Sequence, residues 1–327
     1  MKRVLISGVA GLIGSHLADR MIAKGYRIVG LDDLSAGRRG NIRQALRNKR
    51  FAFKRVNVSD AAKLARTIHG AKFDIIVHLA ASKKIGESGS SLKVLKNNYD
   101  STANMLEVAR RNKAKFIFAS TSDVYGVSKD LPFREDGDLV IGPSHIKRWS
   151  YAISKLHAEH LAFAYQKEYG IPVVVIRYFG CFSSRSNPGP SGGHVPLFIR
   201  QALDGDMIVI HGDGRQTRSM GSVDDVARCT LLAIENKRAA GQIINIGTDE
   251  EISVKDSARI IVNVAKRFSA KARKTRIKQI PMKKVFGDYK EISRRVPDLS
   301  KARKLLGYRP TVRFKKAVER AVQEMAG

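Results

Sequence analysis

Short apolar runs alternate with longer helical patterns along the first half of the chain, and this alternation restricts the fold more than any other feature. The runs predicted as strands cover 4–6, 27–31, 51–56, 74–79, 116–119 and 173–177. Helices are expected over 12–24, 60–69, 92–112 and 151–169. Strands that are apolar at nearly every position are typical of a parallel sheet covered by helices on both faces. The sequence therefore predicts an α/β fold with a doubly wound parallel sheet.

The pattern changes after Tyr178, which indicates a second unit. Segment 183–193 is rich in Ser, Gly and Pro and is predicted as a loop, whereas 243–246 reads as a strand that rejoins the main sheet. We expect a larger domain formed by 1–178 with about 220–247. A smaller C-terminal α/β domain, formed by about 179–219 and 248–327, would bind the substrate.

The charge of the chain is unusual, because 60 Lys and Arg stand against 30 Asp and Glu and give a net charge of +30. Segment 266–310 alone holds 16 Lys and Arg against three acids. Recurrent apolar runs exclude global disorder, and two cysteines without paired or metal-ligand spacing exclude a disulfide scaffold. No stretch approaches the roughly 18 apolar residues of a membrane span. We expect a cytoplasmic protein, because the strand at 4–6 leaves no room for a signal peptide. The net positive charge predicts an anionic partner.

A glycine-rich turn, Gly8-Val9-Ala10-Gly11-Leu12-Ile13-Gly14, joins the first strand to the first helix. Glycine at these positions lets the backbone approach a pyrophosphate, and the helix N-terminus supplies free N–H groups. Asp32, with Asp33 beside it, follows the second strand, where a carboxylate accepts from ribose hydroxyls and repels a 2′-phosphate. This context predicts a Rossmann-type domain that binds NAD rather than a plain turn, although Arg38 and Arg39 reduce the preference over NADP.

Tyr151 and Lys155 stand four residues apart, on one face of a predicted helix. An ordinary tyrosine pKa of about 10 is too high for a base near neutrality, and an adjacent ammonium and a nicotinamide cation lower it. The segment Ser120-Thr121-Ser122-Asp123 follows strand 116–119 directly, where ligands of an open parallel sheet bind. Each feature alone also fits an exposed helix or a turn. Together they predict a hydride-transfer site.

The motifs resemble, over nearly the whole chain, an extended short-chain dehydrogenase/reductase of the NAD-dependent sugar epimerase/dehydratase family. They are Gly8-x-x-Gly11-x-x-Gly14, Asp32-Asp33-Leu34-Ser35-x-Gly37, His78-Leu79-Ala80-Ala81, Asn97-Asn98, Ser120-Thr121-Ser122-Asp123-Val124-Tyr125-Gly126, Tyr151-x-x-x-Lys155, Arg177-Tyr178-Phe179, His211-Gly212-Asp213-Gly214-x-Gln216-Thr217-Arg218, Val223-Asp224-Asp225-Val226 and Pro297-Asp298-Leu299-Ser300-Lys301-Ala302. The resemblance implies NAD as cofactor, a nucleotide-sugar substrate (a UDP-sugar foremost) and a homodimer formed through a four-helix bundle.

The resemblance also implies roles for individual residues. Tyr151 takes the proton of the sugar 4-hydroxyl, Thr121 hydrogen-bonds the same oxygen, and Lys155 lowers the tyrosine's pKa. The catalytic set is Thr121, Tyr151, Lys155 and Asp123, and no metal ligand is expected. The cofactor contacts are Gly8, Gly11, Leu12, Ile13, Gly14, Asp32, Asp33, Leu34, Ser35, Gly37, Asn57, Val58, Leu79, Ala80, Ala81, Lys83, Asn98, Ala119, Tyr151, Lys155 and Tyr178. The substrate contacts are Lys83, Ser122, Asp123, Tyr151, Gly180, His194, Val195, Arg218 and Arg294, with Arg295 as an alternative to Arg294.

The residues beyond Thr121 separate the branches of the family. Ser122 argues against a dehydratase, which has an acid there, and Asp123 stands where a decarboxylase has Glu. Lys83 matches a lysine of galactose epimerases, whereas Arg148-Trp149 resembles decarboxylases and epimerases of uronic acids. We therefore expect a nucleotide-sugar 4-epimerase that acts on a UDP-hexose or UDP-uronic acid through a 4-keto intermediate. A UDP-glucuronate decarboxylase or NDP-sugar dehydratase is the alternative.

The chain departs from the family pattern at Gly180, at Asn57 and over 219–222, where aromatic residues are usual, and one further class of function stays open. Gly180 replaces an Asn that contacts the diphosphate, and Asn57 replaces an Asp that holds the adenine amino group. A nucleic-acid-associated protein that uses the fold as a scaffold is the further alternative, because basic surfaces bind polyanions. No nucleic-acid-binding motif occurs, so we expect no specific nucleic acid as partner. Because no apolar stretch is long enough to span a bilayer, we also expect no membrane as partner.

Overall fold

The computed structural model describes residues 1–83, 89–189, 192–281 and 292–327. Parts of three sequence interpretations lie outside these residues: the stretch 81–88 that resembles galactose epimerases, the loop 183–193 and the basic segment 266–310. In the described part of the chain, no helix is both long and apolar enough to cross a membrane.

Strands and helices alternate along the chain much as the sequence predicts. The strands are β1 (Arg3–Ser7), β2 (Arg27–Asp32), β3 (Phe51–Arg55), β4 (Ile75–His78), β5 (Lys115–Thr121), β6 (Val173–Tyr178), β7 (Gly180–Phe182), β8 (Ile208–His211), β9 (Thr217–Ser222), β10 (Gln242–Ile246), β11 (Glu251–Ser253), β12 (Ile277–Ile280) and β13 (Arg294–Arg295). The helices are α1 (Leu12–Ala23), α2 (Arg43–Leu46), α3 (Ala61–Thr67), α4 (Ser91–Asn112), α5 (Trp149–Tyr169), α6 (His194–Asp204), α7 (Val223–Glu235), α8 (Val254–Ala265), α9 (Ser300–Leu306) and α10 (Phe314–Ala326).

The main sheet has seven strands in the order β10-β6-β5-β4-β1-β2-β3. All of its pairings are parallel, as the continuous apolar runs predict. Leu17 of α1 and Val226 of α7 pack into one buried cluster with the strands, and Leu106 of α4 and Ala158 of α5 pack into another. The predicted α/β class and doubly wound sheet are confirmed.

A second apolar core lies outside the main sheet. Phe198 of α6, Ile261 of α8 and Phe314 of α10 belong to it, together with the buried side of β8. Strands β11, β9, β13 and β7 form a small sheet beside this core, and β12 pairs with β8. This unit contains most of the residues that the sequence analysis assigns to the smaller domain.

Helix α9 packs differently from the predicted division, which places all of 248–327 in the smaller domain. Leu299, Ala302 and Leu306 are buried in the core of the main sheet. The buried hydroxyl of Tyr308 donates to the carbonyl of Gly247, directly after β10, at 2.6 Å. The apolar face of this short helix therefore completes the cover of the edge strand β10.

The carboxyl ends of the parallel strands meet at one edge of the main sheet and position the candidate site. β1 ends at the glycine-rich turn, β2 ends at Asp32, and β5 runs two residues beyond its predicted end. This extension occurs because Thr121 stays in register with Tyr178 of β6. Thr121 therefore lies at the rim of the sheet, on the last residue of a buried strand.

Candidate active site

The glycine-rich turn is built for close packing of backbone against backbone. Gly8 has a φ of +73°, and a Cβ there would lie 2.7 Å from the Ala80 amide nitrogen. A Cβ at Gly14 would overlap the carbonyl oxygen of Gly8. Any side chain at these two positions would push the turn away from helix α1. The turn thus keeps the N-terminus of α1 open toward the sheet edge, where a phosphate is bound in such folds.

Asp32 closes one side of a pocket of about 130 Å³. Its carboxylate accepts from the amides of Ala10 and Leu34, both at 2.9 Å. Burial raises the pKa of Asp32 above its ordinary value, and these two amides act in the opposite direction. The predicted cofactor residues that line the pocket are Gly8, Gly11, Asp32, Asp33, Ser35, Gly37, Asn57, Val58, Leu79, Ala80 and Ala81. A slot with both polar and apolar lining residues, and with the buried carboxylate of Asp32 in its wall, fits the adenosine half of a dinucleotide.

Asn57 lines this pocket, and Asn98 fixes the backbone of Ser82, which also lines it. The Asn57 side-chain oxygen accepts from the amide and the hydroxyl of Ser59, at 3.0 and 2.9 Å, so its acceptor capacity is already used. Asn98 accepts from the amide of Ser82 at 2.7 Å and donates to the carbonyl of Ser82 and the hydroxyl of Ser154. Asn98 thereby ties the loop after β4 to helix α5. Sequence reasoning missed the contribution of Ser82 and Ser154, which no local pattern distinguishes from other serines.

The Tyr151 and Lys155 side chains are both buried, on the face of α5 that covers the end of β5. Lys155 donates to the carbonyl of Ala119 at 2.8 Å, and its burial lowers its pKa to about 7. Burial and the negative charge of Asp123 raise the pKa of Tyr151, while a hydrogen bond with Thr121 lowers it. Without a ligand the phenol is therefore protonated. A proton-accepting tyrosine at this place needs an added positive charge.

Asp123 lies at the centre of a cluster of charges beside Thr121. It accepts from Nη1 of Arg295 at 2.6 Å and lies 3.9 Å from Nζ of Lys83. Although burial opposes it, the charges of Arg295 and Lys83 hold the pKa of Asp123 far below its ordinary value. Nζ of Lys83 also lies 5.4 Å from the centre of the Tyr151 ring. The structure therefore brings together the predicted residues Lys83, Thr121, Asp123 and Tyr151.

Arg295 has more donors in this cluster than Asp123 uses. Its Nε atom is buried and has no hydrogen-bond partner among the described residues. Arg294, which the sequence analysis places among the substrate contacts, points elsewhere and pairs with Glu251 at 2.8 Å. The two arginines form the two-residue strand β13, so their side chains lie on opposite sides of it. Arg295, and not Arg294, faces Asp123.

A second positively charged region surrounds the start of α6. His194 is the first residue of this helix, and its ring Nε2 is buried without a hydrogen-bond partner within the described part of the chain. Burial and the nearby charge of Arg218 lower the pKa of His194 to about 4. The ring is therefore neutral at pH 7. Val195 is fully buried beside it, and Gly180 lies where a Cβ would overlap the Met220 sulfur.

A buried ion pair, which sequence reasoning missed, lies directly beneath Thr121. Arg177 of β6 pairs with Glu159 of α5 through two hydrogen bonds of 3.0 and 2.8 Å. Both side chains are 3% exposed, and Ser120 also donates to Glu159. Arg177 was noted only as part of a motif, and Glu159 is 18 residues away on a different element. Among the described residues no cluster of His, Cys, Asp or Glu could hold a metal ion.

The chain matches the model of one protein family over residues 5–321, and the description of that family is GDP-mannose 4,6 dehydratase. The chain belongs to this family. Its members are NAD-dependent enzymes that act on nucleotide sugars, so the predicted cofactor and the predicted kind of enzyme are confirmed at this level. The glycine turn, the Asp32 pocket and the buried Tyr151 and Lys155 are consistent with this assignment.

Two curated relatives and one solved structure show how this family varies. A UDP-N-acetyl-α-D-glucosaminuronate decarboxylase of Bacillus cytotoxicus is 34% identical, over 98% of this chain and 97% of its own. UDP-glucuronic acid decarboxylase 1 of Danio rerio is 32% identical, over 98% of this chain and 72% of its own. The structure of UDP-glucuronic acid 4-epimerase from Bacillus cereus, with UDP-glucuronic acid and NAD, is 32% identical with a TM-score of 0.83, over 99% and 98% of the two chains.

Proposed function

We propose that this protein oxidises carbon 4 of a UDP-uronic acid and that the resulting 4-keto acid loses its carboxyl group. The observation that carries the proposal is the cluster of Asp123, Arg295 and Lys83 beside Thr121 and Tyr151. The guanidinium of Arg295, whose buried Nε has no partner in the part of the chain that the structure describes, suits a second carboxylate, because its planar donors bind anionic oxygens in pairs. The two decarboxylases among the relatives and the solved epimerase all carry a uronic acid in their names.

Each residue of the site has its own role in the proposed reaction. Tyr151, once deprotonated, accepts the proton of the sugar 4-hydroxyl, while Thr121 donates a hydrogen bond to the same oxygen. The glycine-rich turn and the Asp32 pocket would hold NAD, whose chemistry would be the reversible acceptance of a hydride from carbon 4. When the bond between carbons 5 and 6 breaks, its electron pair moves into the 4-keto group, carbon dioxide leaves, and carbon 5 takes a proton from solvent.

Asp123 is not a proton donor in this scheme, because Arg295 and Lys83 keep it ionised. It orients Arg295 through their 2.6 Å hydrogen bond and places a negative charge beside the carboxylate that departs. A shorter acid than the Glu of typical decarboxylases keeps this charge close to the strand end. The role of Asp123 is therefore electrostatic, and Tyr151 is the group that moves a proton.

The second candidate is 4-epimerisation of the same UDP-uronic acid, which the sequence analysis places first. Lys83 supports this candidate, because it matches a lysine of the galactose epimerases and its ammonium lies 5.4 Å from the centre of the Tyr151 ring. The solved UDP-glucuronic acid 4-epimerase, similar over almost the whole chain, also supports it. The two reactions share the oxidation step and differ in whether the keto acid keeps its carboxyl group.

One experiment distinguishes the two reactions and tests both. The protein is incubated with NAD and UDP-glucuronate labelled with carbon-13 at carbon 6, and then with the N-acetylglucosaminuronate analogue, and products are followed by NMR. Decarboxylation releases the label as carbon dioxide and leaves a UDP-pentose, whereas epimerisation keeps the label in a new stereoisomer. Turnover of UDP-glucose but of neither uronic acid would overturn the proposal for a carboxylate substrate.

His194, Val195 and Arg218 form the proposed site of the substrate diphosphate. The N-terminus of α6 and the Arg218 guanidinium supply donors, and a neutral His194 can donate from Nε2 in one tautomer. This arrangement also supports the proposed division into an NAD-binding unit, 1–178 with about 220–247, and a substrate-binding unit formed by the remainder. Helix α9, which packs on the main sheet, is the exception.

We further propose that the protein forms a homodimer through α4 and α5. These helices expose several large apolar or aromatic side chains: Leu92, Leu95, Tyr99 and Ile153. An exposed apolar stripe along two adjacent helices is typical of an interface. Sedimentation of a Leu92→Glu, Tyr99→Glu variant should show a monomer, whereas an unchanged sedimentation coefficient of the dimer would contradict this interface.

A further inference from the structure

One face of the smaller unit carries a dense group of cations that the reaction does not use. Seven exposed side chains compose this basic face: Lys266, Arg267, Lys271, Arg273, Lys274, Arg276 and Lys278. They run from the end of α8 through a short 3₁₀ helix (Ala270–Lys274) to the edge strand β12. No acid occurs in the sequence between Asp256 and Asp288.

The basic face is almost free of compensating charge. Arg267 pairs with Glu319 at 3.0 Å, and the other six cations form no ion pair with any described residue. Asp204 and Asp206, both exposed, are the acids of the neighbouring turn, and neither forms an ion pair within the described residues. Seven cations against these few acids leave a positive surplus. Such a surface attracts an anionic partner across a Debye length of about 8 Å.

Exposed apolar side chains lie among the cations. Met207, Phe268 and Ile277 are 49%, 37% and 38% exposed, and no other large apolar side chain after position 169 in the described ranges is comparably exposed. Backbone contacts bring the segments that carry them next to one another. The amide of Ile208, next to Met207, donates to the carbonyl of Arg276 at 2.8 Å, and Ile208 is the register partner of Ile277.

The turn that carries Met207 also packs directly on the basic residues. A Cβ at Gly205 would lie 2.8 Å from the carbonyl oxygen of Lys271. Ser269, next to Phe268, donates to the carbonyl of Leu203 at 2.8 Å. The segments that carry the cations and the apolar side chains therefore adjoin one another, and the core of the smaller unit supports them from below.

From this surface we propose that the protein associates peripherally with an anionic lipid bilayer through the basic face. The cations would attract the headgroups, and Met207, Phe268 and Ile277 would enter the boundary between headgroups and acyl chains. This inference does not depend on which sugar reaction the site performs. The absence of a spanning helix does not oppose it, because surface association needs only charge and a few apolar side chains.

The apolar side chains favour a lipid surface over a nucleic acid. A nucleic acid would use the cations equally, yet non-specific binding depends on phosphate neutralisation and gains nothing from Met207 and Ile277. A bilayer binds both the cations and the apolar side chains, and stable peripheral binding requires two such contributions. A planar surface can also meet cations that lie on a helix end, a 3₁₀ helix and a strand at the same time.

Co-sedimentation with vesicles tests the proposal on the full chain loaded with NAD. Vesicles of phosphatidylcholine containing about one-third phosphatidylglycerol should bind the protein, and pure phosphatidylcholine vesicles should not. The variant Lys271→Gln, Arg273→Gln, Lys274→Gln, Arg276→Gln should lower the partition coefficient on the order of 100-fold. The variant Met207→Ser, Ile277→Thr keeps every charge and should lower it about fivefold or more.

A matched control removes equal charge elsewhere. Arg43, Arg47, Lys49 and Arg50 are exposed on the larger unit, and their substitution by Gln should change vesicle binding less than threefold. Each variant must retain catalytic activity and its unfolding temperature. An equal loss in the control variant, or full binding by the Met207→Ser, Ile277→Thr variant, would overturn the proposal. So would binding to duplex DNA without binding to anionic vesicles, which would indicate a nucleic-acid partner.

Discussion

Two acid–arginine pairs lie near the end of β5, and they differ in how many of their polar groups are hydrogen-bonded and in how exposed they are. Glu159 and Arg177 make two hydrogen bonds, are 3% exposed, and take a third contact from Ser120. Asp123 and Arg295 make one hydrogen bond to each other and Asp123 accepts another from Thr121, but both side chains are more exposed, at 22% and 16%, and Nε of Arg295 is unpaired among the described residues. A pair that satisfies itself fixes the fold, whereas a pair with spare donors can bind a ligand.

The two pairs also connect different parts of the molecule. Glu159 and Arg177 anchor helix α5 to β6, and therefore fix Tyr151 and Lys155 relative to the strand ends. Asp123 and Arg295 join the main sheet to the smaller unit, across the space in which the substrate is proposed to bind. One pair keeps the proton-transfer residues in place, and the other recognises the substrate.

The largest expected effect on stability comes from breaking the Glu159–Arg177 pair. Glu159→Gln leaves the Arg177 guanidinium buried without its anion, and this should lower the free energy of unfolding by about 3–5 kcal/mol. Urea denaturation measures the change. Glu107→Gln, which opens an exposed pair with Arg110, is the control and should cost less than about 1 kcal/mol. Equal costs would show that burial does not distinguish the two kinds of pair.

Breaking the Asp123–Arg295 pair should lower catalytic activity more than stability. Asp123→Asn should lower kcat on the order of 100-fold, because the charge beside the departing carboxylate is lost. KM for the UDP-uronic acid should stay unchanged or fall, since Arg295 is released from its partner. Steady-state kinetics and urea denaturation measure the two effects. A loss of stability as large as that of Glu159→Gln would remove the distinction between the pairs.

Lys155 provides a smaller test, because its burial costs stability that its function requires. A lysine whose folded pKa is about 7, below its unfolded value of about 10.5, is charged mainly in the unfolded state between these two pH values. Lys155→Met should therefore raise the stability of the ligand-free protein at pH 7 by about 2 kcal/mol and abolish activity. The gain should shrink as the pH rises from 7 toward 10. A destabilised variant at pH 7 would contradict the stated pKa.

Lys115 is the matched control for that substitution. It is also partly buried, and burial lowers its pKa to about 8. Its ammonium, however, donates to the carbonyls of Ala233, Ile234 and Asn236 at the end of α7. Lys115→Met relieves the burial of a charge but also removes these three hydrogen bonds, so it should raise stability at pH 7 less than Lys155→Met does, by about 1–2 kcal/mol.

The sequence predicts the sheet and the NAD side of the site well, because both depend on local signals. Continuous apolar runs are typical of buried parallel strands, and the first predicted helix, 12–24, differs from α1 by one residue. The turn with Gly8 and the acid Asp32 follow two consecutive strands, so their meeting at one sheet edge follows from the topology. The roles assigned to individual residues stay predictions.

The residues of the proposed substrate site could not be predicted as well, because they meet through long-range contacts that no local sequence pattern indicates. Asp123 and Arg295 are 172 positions apart, and the choice between Arg294 and Arg295 depends on a register in which Arg295 lies beside Arg218. A strand of two residues gives no alternation from which to read this register. Glu159 and Ser154 likewise gain their roles only when α5 packs on β5 and α4.

Calorimetric binding of UDP-glucuronate and UDP-glucose to the NAD-loaded protein and to its Arg295→Gln variant tests whether Arg295 recognises the substrate carboxylate. We expect the parent protein to prefer UDP-glucuronate by about tenfold or more, and the variant to lose this preference while its affinity for UDP-glucose changes little. Arg294→Gln should leave the preference intact. A preference that survives Arg295→Gln, or its absence in the parent protein, would show that Arg295 does not recognise a carboxylate.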